Sequence, residues 1–321
     1  MEKGVSIILC CYNSESRLPK TLEHLAKQEV VKEIPVEIIV VNNASTDNTK
    51  KVAQEEWNKY TTNFLYRVID EDTPGQMYAR EKGANESKYE YILYCDDDNW
   101  LQADYVQKAF DLMEKNARIG ALGGQSIGVT DIDFPEWFSD FERGYAVGTQ
   151  GEESGDVSER GEIWGAGIVF RLNLLKKVFD KNHPFINQGR TGSVLTSGDD
   201  CEICKRILLM GYMLYYDKSL ALHHYIPPVR LTWAYKKRLF EGFKPSNAIL
   251  RKYDFINFEM SKSFSRKIKE LLFLIIKKIL FRPVDMSIFY AKIAILLKNE
   301  KYSKDLEFRS IIKFGLAYKN L

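Results

Sequence analysis

Short apolar runs alternate with amphipathic stretches along the first two thirds of the chain. The runs are rich in β-branched and aromatic residues and have the length of buried strands. They lie at residues 5–11, 36–41, 64–69, 91–95, 119–124, 163–170, 213–216 and 220–222. Helical spacing of apolar residues predicts helices from Leu18, from Thr49, and at 76–84, 103–115, 172–179 and 201–210. This repetition predicts an α/β fold with a mostly parallel sheet and its strand-end loops on one edge.

Within the first part of the chain, residues 144–161 are polar and glycine-rich and are expected to form a mobile loop.

The last 91 residues differ in pattern from the rest, and we therefore divide the sequence into 1–230 and 231–321. From Leu231 onward the pattern is helical, with basic, apolar helices at 266–281 and 288–298. Both are too short and too charged to span a bilayer, but they suit the interface of an anionic membrane. A helical pair packed on the rest of the chain, or on a second copy, is the alternative.

Composition narrows the class of protein. Of 321 residues, 45% are hydrophobic and 28% charged, as in ordinary globular proteins. The net charge of +2 hides a last quarter rich in Lys and Arg, which suggests an anionic partner such as a membrane surface rather than nucleic acid. Five cysteines without a spaced framework, and no signal-peptide pattern, predict reduced thiols in a cytoplasmic protein, peripheral on the inner face of the membrane if the tail binds lipid.

Three consecutive carboxylates, Asp96, Asp97 and Asp98, follow the apolar run at 91–95. Unpaired carboxylates are costly to bury, so they must lie just past the carboxyl end of that strand. Ligands of open α/β sheets bind there, and carboxylate oxygens suit Mg²⁺ or Mn²⁺ beside substrate phosphates. A solvated acidic turn is the alternative reading of the acidic motif by itself.

Three further polar motifs follow predicted strands or open a helix. They are Cys-Tyr-Asn-Ser-Glu at 11–15, Val-Asn-Asn-Ala-Ser-Thr-Asp at 41–47 and Gly-Asp-Asp at 198–200. In this order with the triple Asp, the chain resembles the family 2 glycosyltransferases over residues 4 to 245. The resemblance implies a GT-A fold and an inverting enzyme that uses a sugar nucleotide.

The resemblance implies a nucleoside site at the first two motifs. Tyr12 corresponds to the residue that stacks on the base, with Asn13 and Glu15 in the same loop. A tyrosine that only packs between helix and strand is the alternative. Asn42 stands where family members usually carry an Asp that hydrogen-bonds uracil, and an amide can still accept and donate there. Uridine therefore remains the expected nucleoside, although an Asp at position 42 would indicate it more strongly than Asn42 does.

The same resemblance implies a diphosphate and metal site. Arg80 corresponds to a nucleotide or diphosphate contact, although a surface salt bridge, for example to Glu81, is the alternative. Asp98 is the implied metal ligand, and Asp96 is expected to contact ribose, or the metal through water. Asp97 can exchange roles with either and is counted among the nucleotide-binding residues.

Two histidines follow the last predicted strand. His223 and His224 stand where many GT-A enzymes place a metal- or diphosphate-binding His. A histidine ligand would favour Mn²⁺ over Mg²⁺, whereas a surface or aromatic-packed histidine is the other reading.

The implied catalytic base is Asp200, with Asp199 the second candidate. Inversion needs a base on the acceptor side to take the hydroxyl proton, and a neighbouring carboxylate raises the pKa of such a base. Carboxylates at a helix N-terminus are also ordinary capping residues. Gly165 belongs to a glycine-rich segment that in the family lines the donor-sugar and acceptor site.

These expectations combine into one function. A sugar would pass from a nucleoside-diphosphate donor, UDP-linked in the first instance, to the hydroxyl of a saccharide or lipid-linked glycan in surface polysaccharide or glycan biosynthesis. An inactive sugar-nucleotide-binding scaffold on the same fold is the alternative. A nucleotidyltransferase is disfavoured, because the loop after the first strand lacks a Gly-rich, basic phosphate-binding sequence.

Overall fold

A computed structural model describes residues 1–187, 198–280 and 282–319. The strands of the described residues are β1 (Glu2–Cys11), β2 (Val36–Asn43), β3 (Leu65–Glu71), β4 (Tyr89–Asp96), β5 (Asn99–Leu101), β6 (Ile119–Val129), β7 (Gly155–Asp156), β8 (Val169–Arg171) and β9 (Met213–Tyr225). The α-helices are α1 (Leu18–Ala26), α2 (Thr49–Trp57), α3 (Gln76–Glu86), α4 (Tyr105–Lys115), α5 (Leu172–Val178), α6 (Asp199–Leu209), α7 (Trp233–Ser261), α8 (Phe264–Ile279), α9 (Met286–Leu296) and α10 (Leu306–Tyr318).

The strands form one sheet in the order β3-β2-β1-β4-β8-β6-β9-β5, and β7 pairs with β9. The first four are parallel, as the sequence predicts, and so are β6 and β9. Strands β5, β7 and β8 pair antiparallel with their neighbours. The chain runs outward from β1 to β3 and returns to pair β4 on the other side of β1. Such a reversal opens a ligand crevice at the carboxyl ends of β1 and β4.

Side chains that alternate along the strands bury both faces of the sheet. Leu9 of β1 packs in a core with α1, α2 and α4, whereas Ile8 packs in a second core with α3, α5 and α6. Because successive strand residues point to opposite faces, a continuous apolar run serves both cores. The strands that border the crevice are therefore held in position by a hydrophobic core on each face of the sheet.

Three details differ from the sequence expectation. The predicted strand at 163–170 is a strand only from Val169, because Gly167 has a left-handed φ of +71° and the chain turns there. The predicted strands at 213–216 and 220–222 are one strand, β9, with a register irregularity in its pairing with β6. Strand β5 was not predicted, since three residues directly after an acidic turn give no periodic signal.

The segment at 144–161, expected to be a mobile loop, contains regular structure. Gly148 pairs with Ser126 through two backbone hydrogen bonds, and β7 pairs with β9. Gln150 is buried and its amide donates to the carbonyl of Gly124. Hydrogen bonds thus order a stretch that has few apolar residues.

The C-terminal helices pack on the second core. Ile256 of α7, Ala291 of α9 and Phe314 of α10 share that core with Ile207 of α6. The helices predicted at 266–281 and 288–298 correspond to α8 and α9, and Phe281 lies outside the described residues. Within the described ranges, we find no helix that is both long and apolar enough to cross a bilayer.

Candidate active site

A cavity of about 580 Å³ lies at the carboxyl ends of β1 and β4, where the strand order reverses. Ten of the residues singled out from the sequence line it: Tyr12, Asn13, Arg80, Asp96, Asp97, Asp98, Gly165, Asp199, Asp200 and His224. The fold brings together residues that are up to 212 positions apart in the chain, from Tyr12 to His224. The cavity is therefore the candidate active site.

Three predicted site residues do not line this cavity: Glu15, Asn42 and His223. The Glu15 carboxylate accepts from the backbone N–H of Asn48. The Asn42 amide donates to Asp70 on β3, and its oxygen is buried with no hydrogen-bond partner among the described residues. His223 precedes His224 in β9, and neighbouring strand residues point to opposite faces. The structure therefore brings only the second histidine to the cavity.

Hydrogen bonds join the loops that follow β1 and β2. Asn13, at a left-handed φ of 48°, accepts from the N–H of Thr46 at 2.8 Å, and its own N–H donates to Ser45 at 3.1 Å. Asn is among the residues that best tolerate this conformation. The joined loops present the ring of Tyr12, half exposed, at the cavity wall. An exposed ring face at this position can stack on a planar base.

Asn43, which was not selected from the sequence, lies at the cavity and orders its floor. Its amide donates to the carbonyls of Thr73 and Glu71, and its oxygen accepts from the N–H of Gly75 at 2.8 Å. These bonds fix the turn that leads into α3, the helix that carries Arg80. The side chain is buried, so each of its polar groups needs such a partner.

The acidic turn is held by two arginines. Asp97 is buried and pairs with Arg17 at 2.6 Å, and Asp98 is buried and pairs with Arg230 at 3.0 Å. Burial, followed by the charge of Asp98, raises the pKa of Asp97, and Arg17 opposes the shift. Neither arginine was predicted, because each lies far from the Asp motif in sequence. A Pro-Pro break before Arg230 was the only local signal.

Asp96 and Asp98 have different partners in the cavity. Gln76 donates to Asp96 at 3.4 Å, a long hydrogen bond. The Nε2 atom of His224 lies 3.6 Å from Asp98, whose second oxygen faces Arg230. Asp98 thus lies between His224 and Arg230, an arrangement in which its negative charge can balance a positive charge.

The carboxylates of this turn are compatible with a divalent cation whose coordination shell is completed by the substrate. Throughout residues 1–187, 198–280 and 282–319, no three His, Cys, Asp or Glu side chains are arranged to hold a metal by themselves. Mg²⁺ is usually held by one or two carboxylates together with phosphate oxygens and waters. Asp98 already attracts the guanidinium of Arg230, so a cation fits this position electrostatically.

Arg80 and Asp199 form a buried ion pair on the other side of the cavity. The guanidinium Nη1 lies 2.7 Å from the Asp199 carboxylate, and both side chains are at least 94% buried. The negative charges of Asp199, Asp96 and Asp200 raise the pKa of Arg80 against the effect of burial. The alternative reading, a surface salt bridge to Glu81 or another carboxylate, is correct in that Arg80 pairs with a carboxylate, but the partner is Asp199 and the pair is buried.

Asp200 is held by backbone N–H groups. One oxygen accepts from Gly165 at 2.8 Å and the other from Cys201, the next residue of α6, at 2.9 Å. Burial first and the charge of Asp199 second raise the pKa of Asp200, and Arg80 lowers it. A carboxylate with a raised pKa that borders a cavity is suited to accept a proton near neutral pH.

An aromatic cluster forms the wall beyond Arg230. Tyr145, Ile226 and Leu239 are buried together, and they line the cavity with Tyr235. The Tyr145 hydroxyl donates to the carbonyl of Arg230 at 3.1 Å. This contact ties the polar segment at 144–161 to the arginine that faces Asp98.

The fold and the cavity define an α/β protein with a ligand site at the switch point of a doubly wound sheet. A family model described as Glycosyl transferase family 2 matches residues 6–179, more than half of the chain, and the chain belongs to this family.

Two curated relatives show how far the similarity extends. Poly-beta-1,6-N-acetyl-D-glucosamine synthase of Staphylococcus epidermidis is 28% identical over 123 residues, which are 38% of this chain and 28% of that protein. Glucosyl-dolichyl phosphate glucuronosyltransferase of Haloferax volcanii is 23% identical over 245 residues, which are 74% of this chain and 75% of that protein. The chain thus spans less than a third of the first relative and most of the second.

Solved structures share the fold. S. aureus TarS 1–349, in complex with UDP-GlcNAc, superposes with a TM-score of 0.52 at 21% identity over 70% of this chain and 58% of that one. GalNAc-T7 with UDP, GalNAc and Mn²⁺ gives 0.53 at 14% identity over 70% of this chain and 44% of that one. These glycosyltransferase neighbours confirm the predicted GT-A fold.

Proposed function

We propose that this family 2 glycosyltransferase is an inverting enzyme that transfers a sugar from UDP to an acceptor hydroxyl. The observation that carries the proposal is one cavity with two chemically distinct acidic sites. The Asp96–Asp98 turn is paired with arginines, whereas the Asp200 carboxylate accepts hydrogen bonds from the backbone N–H groups of Gly165 and Cys201. The arginines around the acidic turn favour binding of a diphosphate. The raised pKa of Asp200 favours its action as a general base.

The donor half of the proposal rests on the first two loops and on the arginines. Tyr12 would stack on uracil, Asn13 would hold the loop, and Arg80 and Asp97 would border the diphosphate region. Glu15 would act through its bond to the second loop. Asn42 would contact the base edge only if its side chain turned towards the cavity, because its amide donates to Asp70 and its oxygen is buried. UDP is supported by the TarS and GalNAc-T7 complexes.

The metal half of the proposal concerns Mn²⁺ or Mg²⁺. Asp98 and Asp96 would hold the ion with diphosphate oxygens, and His224 is the third candidate. His223 would contribute only if the end of β9 rearranged. The ion would neutralise charge on the departing diphosphate. Mn²⁺ in the GalNAc-T7 complex supports this choice.

Asp200 would remove the proton from the acceptor hydroxyl as its oxygen bonds to the sugar C1 and the bond from C1 to the diphosphate breaks. Asp199 is the second candidate for this role, but its pairing with Arg80 engages the carboxylate. Gly165 would place its N–H on Asp200 and leave room for the sugar. Attack from the face opposite the leaving group gives inversion.

The acceptor is proposed to be a saccharide or a lipid-linked glycan in surface polysaccharide biosynthesis, with the enzyme in the cytoplasm. The names of the two relatives, a poly-beta-1,6-N-acetyl-D-glucosamine synthase and a glucosyl-dolichyl phosphate glucuronosyltransferase, support this class. Residues 1–230 would form the catalytic domain, and 231–321 a helical region.

An inactive sugar-nucleotide-binding scaffold remains the second candidate, because Asn42 departs from the family pattern. A nucleotidyltransferase is not supported, since the loop after β1 is held by Asn13 rather than built around glycines.

The test is a panel of UDP-, GDP- and dTDP-sugars assayed for binding and hydrolysis with Mn²⁺, with Mg²⁺ and with EDTA. We expect one UDP-sugar to be preferred, with metal-dependent binding that Asp98→Ala removes. Exposed Asp72 provides the matched control, because Asp72→Ala should leave the preference intact. Absence of metal-dependent binding to every donor would overturn the proposal, and binding without any turnover would favour the scaffold.

A further inference from the structure

The solvent-facing side of α8 is apolar. Leu272, Ile275, Ile276 and Ile279 follow one another at the spacing of a single helix face, and they are 54%, 37%, 54% and 67% exposed. No residue of α8 is buried. A contiguous exposed apolar face of this kind is uncommon on monomeric soluble proteins and marks an interaction site.

The opposite side of α8 carries Glu270 together with the half-buried Leu274, and it faces the protein. Glu270 contacts Lys262 and Lys292, each at 2.7 Å, and both lysines also reach Glu259 of α7 at 2.6 and 2.7 Å. Glu259 is buried. This four-residue network fixes the rotation of the helix and turns its apolar face outward.

The charge around this face has one sign. Residues 262–282 contain seven Lys and Arg residues and one acidic residue, Glu270, although the whole chain has a net charge of only +2. Glu270 is occupied by the inward network. The exposed cations next to the apolar face include Arg266, Lys269 and Lys278. They complement an anionic surface.

We propose that the apolar face of α8 docks on the surface of an anionic membrane. At about 1.5 Å per residue, its 16 residues extend about 24 Å, too short to span but suited to lying in the plane of the interface. The apolar side chains enter the acyl boundary while Lys and Arg contact lipid phosphates. This inference goes beyond sugar transfer and does not depend on it.

A second copy of the chain fits this face less well. A two-fold dimer brings the same patch of both copies together. Two faces that are each flanked by lysines and arginines would repel, whereas anionic lipid neutralises the same charges. Self-association through this face would appear as a dimer in sedimentation velocity.

The docking face is remote from the cavity along the chain. Tyr235 and Leu239, near the start of α7, line the cavity, and α8 begins after Ser261 at the other end. A helix of 29 residues is about 43 Å long, so α8 can be changed without touching the site. Donor hydrolysis in the absence of vesicles should therefore be unchanged in α8 variants.

The experiment is co-sedimentation of the full chain with vesicles of phosphatidylcholine, with and without phosphatidylglycerol, at low and high salt. We expect binding to the anionic vesicles that weakens with salt. Ile276→Glu and Leu272→Glu should each reduce the partition coefficient by about tenfold. Lys269→Gln and Lys278→Gln should each reduce it about fivefold, on anionic vesicles only.

Val31→Glu is the matched control, since Val31 is 53% exposed and follows α1, which packs on the opposite face of the sheet. It should bind vesicles as the unchanged chain does. Equal binding of Ile276→Glu and the unchanged chain would overturn the proposal. So would a dimer in sedimentation velocity that Ile276→Glu dissociates, with no vesicle binding by either form.

Discussion

The guanidinium of Arg80 lies 2.7 Å from the carboxylate of Asp199, and the two residues are 119 positions apart in the chain. This buried pair separates the roles of two adjacent carboxylates. Asp199 is neutralised by an arginine, whereas Asp200 is held by the N–H groups of Gly165 and Cys201 at the border of the cavity.

Removing one partner of the buried pair should destabilise the fold. Arg80→Met leaves the Asp199 carboxylate buried without its cation, at a cost of about 3 kcal/mol in the free energy of unfolding. Arg80→Met combined with Asp199→Asn should recover most of that loss. Urea denaturation measures both. Lys51→Met, which removes an exposed pair with Glu55, should cost at most about 1 kcal/mol. Equal losses in Arg80→Met and Lys51→Met would contradict the importance of the buried pair.

Replacing the proposed base should abolish turnover and spare donor binding. Asp200→Asn keeps the size of the side chain but cannot accept the proton, so kcat should fall by about a thousandfold. Calorimetry should give the same affinity for UDP. Asp199→Asn is the comparison, and it should reduce kcat far less. Should Asp199→Asn prove the more damaging of the two, the assignment of the base would have to be exchanged.

The pH dependence of kcat/KM should report Asp200. Its pKa is raised by burial and by Asp199, so the active, deprotonated form is lost as pH falls at values above the ordinary range of an aspartate. Arg80→Met removes a positive charge and should move this acidic limb to higher pH. Asp199→Asn removes a negative charge and should move it to lower pH. Shifts of the same sign in both variants would exclude Asp200 as the titrating group.

Gly165 should be intolerant of a methyl group. A Cβ atom there would lie 2.7 Å from Nη2 of Arg80 and 3.1 Å from the Asp200 carboxylate. Because Arg80 is held by Asp199, the added carbon should displace the base, and Gly165→Ala should lower kcat at least about tenfold. Gly155→Ala is the control, since its Cβ would meet no atom within 4 Å. Steady-state kinetics with thermal unfolding separates a displaced base from a loss of fold.

Arg230 should compete with a metal ion for Asp98. Its guanidinium lies 3.0 Å from the carboxylate, so Arg230→Met should increase the affinity of the nucleotide-free protein for Mn²⁺ by about fivefold. Electron paramagnetic resonance of free Mn²⁺ measures this without turnover. The double variant Arg230→Met, Asp98→Asn should lose the gain. An unchanged affinity in Arg230→Met would show that the ion, if bound, lies elsewhere.

The sequence by itself determined the alternation of strands and helices that builds the parallel part of the sheet, and it identified ten of the residues that line the cavity. Apolar runs such as 91–95 must be buried, and the carboxylates that follow them must leave the core, so local chemistry locates the site at strand ends. Only the tertiary structure decided the partners. Arg17, Arg230 and the pairing of Arg80 with Asp199 join distant segments, and no local pattern specifies which cation meets which carboxylate. The direction of the α8 face was likewise decided by ion pairs between helices, since helical spacing identifies an apolar face but not what it faces.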